Sequence, residues 1–328
     1  MKKPSTLHSA ILAVAVATTA LFTPFAYGQK ELLTTIDPPG SIDTRAFGIN
    51  NMGQIVGLYI TADNRSHGFL LSQGAYTTID VPGSIRTNAL AINVNGQIVG
   101  RYDTPDKRAH GYVLSNGAFT TIDVPGSAGF TVVTDINPSG EMVGRYVGSD
   151  GRLHGFSLIG GNFTTIDDPD GIAIQGMALN PAGVIAGYYV DTTGRFHGFL
   201  LDHGSYTTFD PPESIRTGSA AGVLKINPAG DVAGYYTRSG DAPGAGHGFL
   251  YRDGDFISFD FPNAQLTCNT GINPEGDIVG LYVDHMNRSH GFLAPRGTEE
   301  QALDSIEFEH QNESQVDSRR ATMEFLEN

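Results

Sequence analysis

Tryptophan is absent from this chain of 328 residues, and cysteine occurs once, at Cys268. A lone cysteine cannot close a disulfide within its own chain, so packing and hydrogen bonds must hold the fold. Its expected place is the core, where free cysteines are commonly buried. Basic residues are scarce, 20 Lys and Arg against 35 Asp and Glu, for a formal charge of −15. Such a surface repels phosphate backbones and anionic membranes, which argues against nucleic acid as a partner. Long apolar runs are missing with one exception. "AILAVAVATTALF" (residues 10–22) follows Lys2 and Lys3 and precedes the small residues Ala26 and Gly28. A membrane-spanning helix needs roughly 20 residues, so this layout reads as a secretory signal peptide over residues 1–28, cleaved before Gln29. The alternative is an uncleaved N-terminal anchor. The expectation is a chain exported to the periplasm or beyond, with no membrane span after cleavage.

Glycine, by contrast, is abundant, and its placement is regular. "NVNGQIVGRYDTPDKRAHGY" (residues 93–112) is nearly rewritten at "NNMGQIVGLYITADNRSHGF" (50–69) and "NPSGEMVGRYVGSDGRLHGF" (137–156). The marker asparagine falls at Asn50, Asn93, Asn137, Asn180, Asn227 and Asn273, in steps of 43, 44, 43, 47 and 46. Gly follows three and seven residues later in every copy, and His-Gly-aromatic closes each phrase, at His67, His110, His154, His197, His247 and His290. Self-similarity at this period is the mark of a repeat architecture.

Within the second copy, residues 89–93, 97–102, 110–114 and 118–123 read as four short strands rich in β-branched and aromatic residues. Four copies write the first link as Asn-Pro-x-Gly, as at Asn180 to Gly183. Proline presets the turn and glycine accepts the left-handed conformation after it. Four antiparallel strands in about 43 residues match one propeller blade. The segment 31–37, "ELLTTID", is a fourth strand without its first three, and the sixth copy lacks a fourth strand after His290-Gly291-Phe292. The expected fold is therefore all-β: a six-bladed β-propeller of four-stranded blades, its ring closed by the N-terminal strand completing the last blade. An open β-solenoid is the alternative. The repeat domain spans 29–297, and residues 298–328, with nine acidic residues against two Arg, read as an acidic, flexible tail.

The phrase "INxxGxIVGxY…HGF" resembles the HAF-type extracellular repeat of bacterial exported proteins, over residues 31–297. The chain departs from it at the tripeptide itself, writing His-Gly-Phe or His-Gly-Tyr where the family has His-Ala-Phe. The resemblance implies export and a repeated β architecture. It implies no activity.

Residues present in every copy are expected to serve architecture. The fourth strand ends in Asp each time, at Asp37, Asp80, Asp123, Asp167, Asp210 and Asp260, so a His–Asp tie inside each blade is expected. Function should rest on the exceptions. The fifth copy is longer at 211–222 and 237–246, read as two enlarged loops on one face. Arg216, Arg238 and Asp241 are their charged members and candidate binding residues. Two residues before the marker, four copies carry Gly or Ala, but the third has Asp135 and the fifth Lys225, two further candidates on the wall of a central channel. His203 and His285 stand outside the pattern with no cysteine or carboxylate cluster, so no metal and no cofactor is called for. The expected function is a binding or scaffold module whose ligand (protein, glycan or small molecule) approaches the long-loop face. Tyrosine can stack on a sugar where tryptophan is missing. The alternative is a secreted hydrolase or lyase acting at the channel mouth, for which no convergent acid, base and nucleophile are visible.

Overall fold

The computed structural model describes residues 33–167, 171–218 and 224–298. The expected signal segment, and all but the first residue of the expected tail, lie outside them. The regular elements among the described residues are all β-strands.

The strands fall into successive antiparallel meanders. The second is representative: Arg86–Ile92, Ile98–Asp103, Ala109–Ser115 and Ala118–Ile122 pair in order. Equivalent meanders begin at Ser41–Ile49, Thr131–Ile136, Gly171–Leu179, Ser214–Gly218 and Leu266–Ile272. The last, with Ile278–Val283 and Ser289–Ala294, takes its fourth strand from the opposite end of the chain. Thr34–Ile36 pairs antiparallel with Ser289–Ala294, Thr35 facing Phe292. Each first strand packs against the second and third strands of the preceding meander, and Ser41–Ile49 packs in the same way on the last one.

The repeated glycines have two separate causes. The first of each pair sits in the hairpin turn with positive φ, 68° at Gly53 and 94° at Gly276, a conformation that costs other residues energy. The second leaves room for the aromatic ring of the neighbouring strand. A Cβ on Gly144 would lie 2.7 Å from the ring of Phe156 and 2.1 Å from the carbonyl oxygen of Val132. Phe69, Tyr112, Phe156, Phe199, Phe249 and Phe292, the aromatics after His-Gly, are all fully buried. They form the centres of the packed layers between meanders, a core that suffices without a disulfide. Cys268 is buried among Tyr235 and Leu281.

The marker asparagine is buried and closes its own turn. Oδ1 of Asn50 accepts from the backbone N–H groups of Met52 and Gln54, at 3.0 and 3.1 Å. Its Nδ2 donates to the carbonyl of Asn93 at 3.1 Å, and Asn93 donates likewise to Asn137 at 3.0 Å. In these two copies one side chain satisfies a hairpin and bonds it to the next meander.

One expected loop is a strand. Ser214–Gly218 pairs with Val232–Arg238, so Arg216 lies in a sheet. Every other first strand carries a register shift near its middle, for example between Ala89 and Ala91 and between Val133 and Asp135. The rest of that expected loop, residues 219–222, lies outside the described residues. The second enlarged segment does connect strands, Val232–Arg238 to His247–Arg252.

Candidate functional site

The first strands converge so closely that their side chains must be small. A Cβ on Gly48 would stand 3.0 Å from the Cα of Ala91, and one on Gly271 would stand 2.8 Å from the carbonyl of Phe47. At this level the third and fifth meanders place Asp135 and Lys225, and the structure brings the two together. Lys225 Nζ lies 2.7 Å from Asp135 Oδ1 and donates to the carbonyl of Thr134 at 2.6 Å. The N–H of Leu179, in the meander between them, donates to Asp135 Oδ2 at 3.0 Å. Three meanders are thereby joined through one buried ion pair. Burial lowers the pKa of the Lys225 amine, and the adjacent carboxylate of Asp135 opposes that shift.

Above this pair opens a cavity of about 250 Å³. Its wall is apolar, from Ile136, Ile226 and the turn prolines Pro138, Pro181, Pro228 and Pro274, with Asn50, Asn93, Asn137 and Asn227 among the polar lining. These are the tight Asn-x-x-Gly turns, so the cavity opens on the face opposite the long loops. Asp135 and Lys225 border it, and Arg216, Arg238 and Asp241 do not. No sequence signal marked the turn residues as lining. They look like turn chemistry alone.

The long-loop candidates divide again. Arg238 and Asp241 close their own turn, the Asp241 carboxylate accepting from the Arg238 N–H at 2.6 Å. Asp241 also meets His247 Nε2 at 3.4 Å. Arg216 stands apart, its guanidinium 4.2 Å from the ring centre of Phe196.

The repeated histidines are tied as their regularity implies. Nδ1 meets the fourth-strand carboxylate in all six cases, at 2.9 Å for His67–Asp80, 2.8 Å for His110–Asp123 and His154–Asp167, 2.6 Å for His197–Asp210, and 2.7 Å for His247–Asp260 and His290–Asp37. The last tie joins residues 253 positions apart. Each ring also lies beside a second-strand tyrosine, 5.2 Å between centroids for Tyr59 and His67. That tyrosine contact was not read from the sequence, although a Tyr stands nine residues after each marker asparagine. His154 meets a second carboxylate, Asp150, at Nε2 and 3.1 Å. Burial works against its charged form, but Asp150 and Asp167 together raise its pKa above the ordinary value. Among the described residues no group of three or more His, Cys, Asp or Glu is arranged to hold a metal ion.

The chain matches no protein-family model and no curated protein. Solved structures do share its fold. A crystal structure of AofleA from Arthrobotrys oligospora superposes with a TM-score of 0.52 at 12% identity, over 82% of this chain and 87% of that one. The fucose-specific lectin from Aleuria aurantia gives 0.52 at 12% identity, over 79% and 95% of the two chains. TolB from Acinetobacter baumannii gives 0.53 at 14% identity, over 79% of this chain and 65% of that one. At such identities the likeness defines the fold, a propeller-like all-β architecture, and leaves the ligand open.

Proposed function

We propose that this chain is an exported binding module built as a closed ring of six four-stranded blades, related to HAF-type extracellular repeats, with its ligand site in the axial cavity. The ring reading is supported by Thr34–Ile36 pairing with the last meander and by the cyclic packing of first strands. Export is supported by the layout of residues 2–28. Binding rather than catalysis is supported by the use of the repeated polar side chains: histidine, aspartate and asparagine are engaged with one another or with the backbone.

The observation that carries the assignment is the cavity of about 250 Å³ bordered by a buried ion pair, Asp135 and Lys225. A concave apolar wall with a few convergent polar groups is the usual form of a small-molecule site. Its size suits a small molecule or the terminal unit of a larger one.

The experiment is a ligand screen by thermal shift on the mature protein and on Val94→Trp. Val94 lines the cavity and is exposed, so a bulky ring fills the space without disturbing the core. Compounds that stabilise the wild type should lose their effect in Val94→Trp and keep it in His203→Ala, a change at an exposed position away from the cavity. Hits indifferent to Val94→Trp would place the site elsewhere.

A further inference from the structure

The repeat contains its own control for one side chain. Arg86 and Arg216 occupy equivalent positions near the start of a first strand. Each makes the single parallel bridge to the preceding meander, Arg86 to Ser66 and Arg216 to Phe196. Across the antiparallel ladder Arg86 faces Asp103, and its guanidinium meets that carboxylate at 3.4 Å. Arg216 faces Thr237 in the same register. The fifth copy thus keeps the arginine and lacks the acid.

Nothing else in the described structure takes the acid's place. Arg216 is the one arginine among the described residues for which neither a side-chain hydrogen bond nor an ion pair is found. Its Nε is buried without a hydrogen-bond partner, while the residue as a whole is only half-buried. One face of the guanidinium is covered by Phe196 at 4.2 Å, which leaves its edge for an acceptor. Asp241, the acidic residue of the other enlarged segment, is already committed to the Arg238 N–H and to His247. A buried donor with no acceptor is costly, and a chain of net charge −15 has carboxylates enough to have filled the position.

We propose that Arg216 is a carboxylate-binding site on the long-loop face, where the ligand's carboxylate takes the place that Asp103 holds beside Arg86. The charge to be matched is one, and the edge of a stacked guanidinium fits a planar carboxylate. The ligand is therefore a monocarboxylate, from an acidic sugar or from an acidic side chain. This site is distinct from the axial cavity, so its fate does not depend on that assignment.

The test follows the Nε–Hε signal of Arg216 by NMR in the full chain. Sodium glucuronate and N-acetyl-aspartate amide are titrated as the sugar-acid and side-chain probes, with glucose and sodium chloride as controls. At least one carboxylate should shift the signal saturably, and the tighter of the two identifies the source; glucose and chloride should not. Thr237→Asp, which rebuilds the arrangement of the second copy, should abolish the response. Arg216→Lys, which keeps the charge but loses the planar fork, should weaken binding by about tenfold or more, read by calorimetry. No saturable response to either carboxylate, an equal response to glucose or chloride, or undiminished binding in Thr237→Asp would each overturn the proposal.

Discussion

Replacing Lys225 with methionine deprives a buried carboxylate of its charged partner. The stem is similar in length and apolar, so packing is largely kept. Two hydrogen bonds are lost, the 2.6 Å bond to the Thr134 carbonyl and the 2.7 Å bond to Asp135. Asp135, 7% exposed, is left with the N–H of Leu179 alone. Breaking a buried ion pair on one side costs about 3–5 kcal/mol, because the remaining charge has no compensation. Asp135→Asn keeps an oxygen for Leu179 and should cost less, about 1.5–3 kcal/mol, the range for a hydrogen bond to a charged group. The double variant removes both charges and should be less damaged than the sum of the singles, with a coupling of about 1–3 kcal/mol. Urea unfolding followed by far-UV circular dichroism measures all three. A cost below about 1 kcal/mol for Lys225→Met, or strict additivity, would show that the pair is solvated and does not join the three meanders.

Two further outcomes test the ring and its ties. Ile36, 2% exposed, packs with Val279 across the chain ends, so Ile36→Ala should cost about 2–4 kcal/mol in urea unfolding, whereas a solenoid with a frayed N-terminal strand would show almost no effect. The raised pKa of His154 means its two carboxylate bonds contribute fully below its unfolded pKa of about 6.5 and fade as pH rises through the higher folded value. The Tm deficit of His154→Gln should therefore be largest near pH 6 and shrink toward about pH 9; a deficit that grows with pH would mean the ring is bound as the neutral form.

The sequence carried the repeated elements well for a physical reason. A strand that must pair and pack in the same way in every copy is constrained identically each time, so its residues recur. The His110–Asp123 tie, the buried Tyr112 and the turn at Asn93 to Gly96 were legible because each satisfies a local need. What recurs nowhere was harder to place. Ser214–Gly218 read as part of a loop, because the extra length of the fifth copy does not show where in the segment the strand lies. The position of the cavity was hidden for another reason. Pro138, Pro181 and Pro228 line it through the convergence of separate meanders, which depends on packing distances and not on any motif.

That division bears on where recognition can reside. A side chain present in every copy answers a demand every copy makes, and the structure accounts for those demands with internal partners. His290 is engaged by Asp37, Asn50 by its own turn and by Asn93, Phe292 by the space that Gly280 leaves open. None of these groups is free to meet a ligand without loss of a native bond. The departures from the repeat are of another kind. Asp135 and Lys225 replace small residues and resolve each other's charge at the border of a cavity, so their pairing is complete without a ligand. Arg216 replaces nothing, since Arg86 has the same place, but it faces Thr237 instead of an aspartate. Among the described residues, neither a side-chain hydrogen bond nor an ion pair is found for its guanidinium. Mutual pairing explains the first pair. An external carboxylate is the simplest completion of the second.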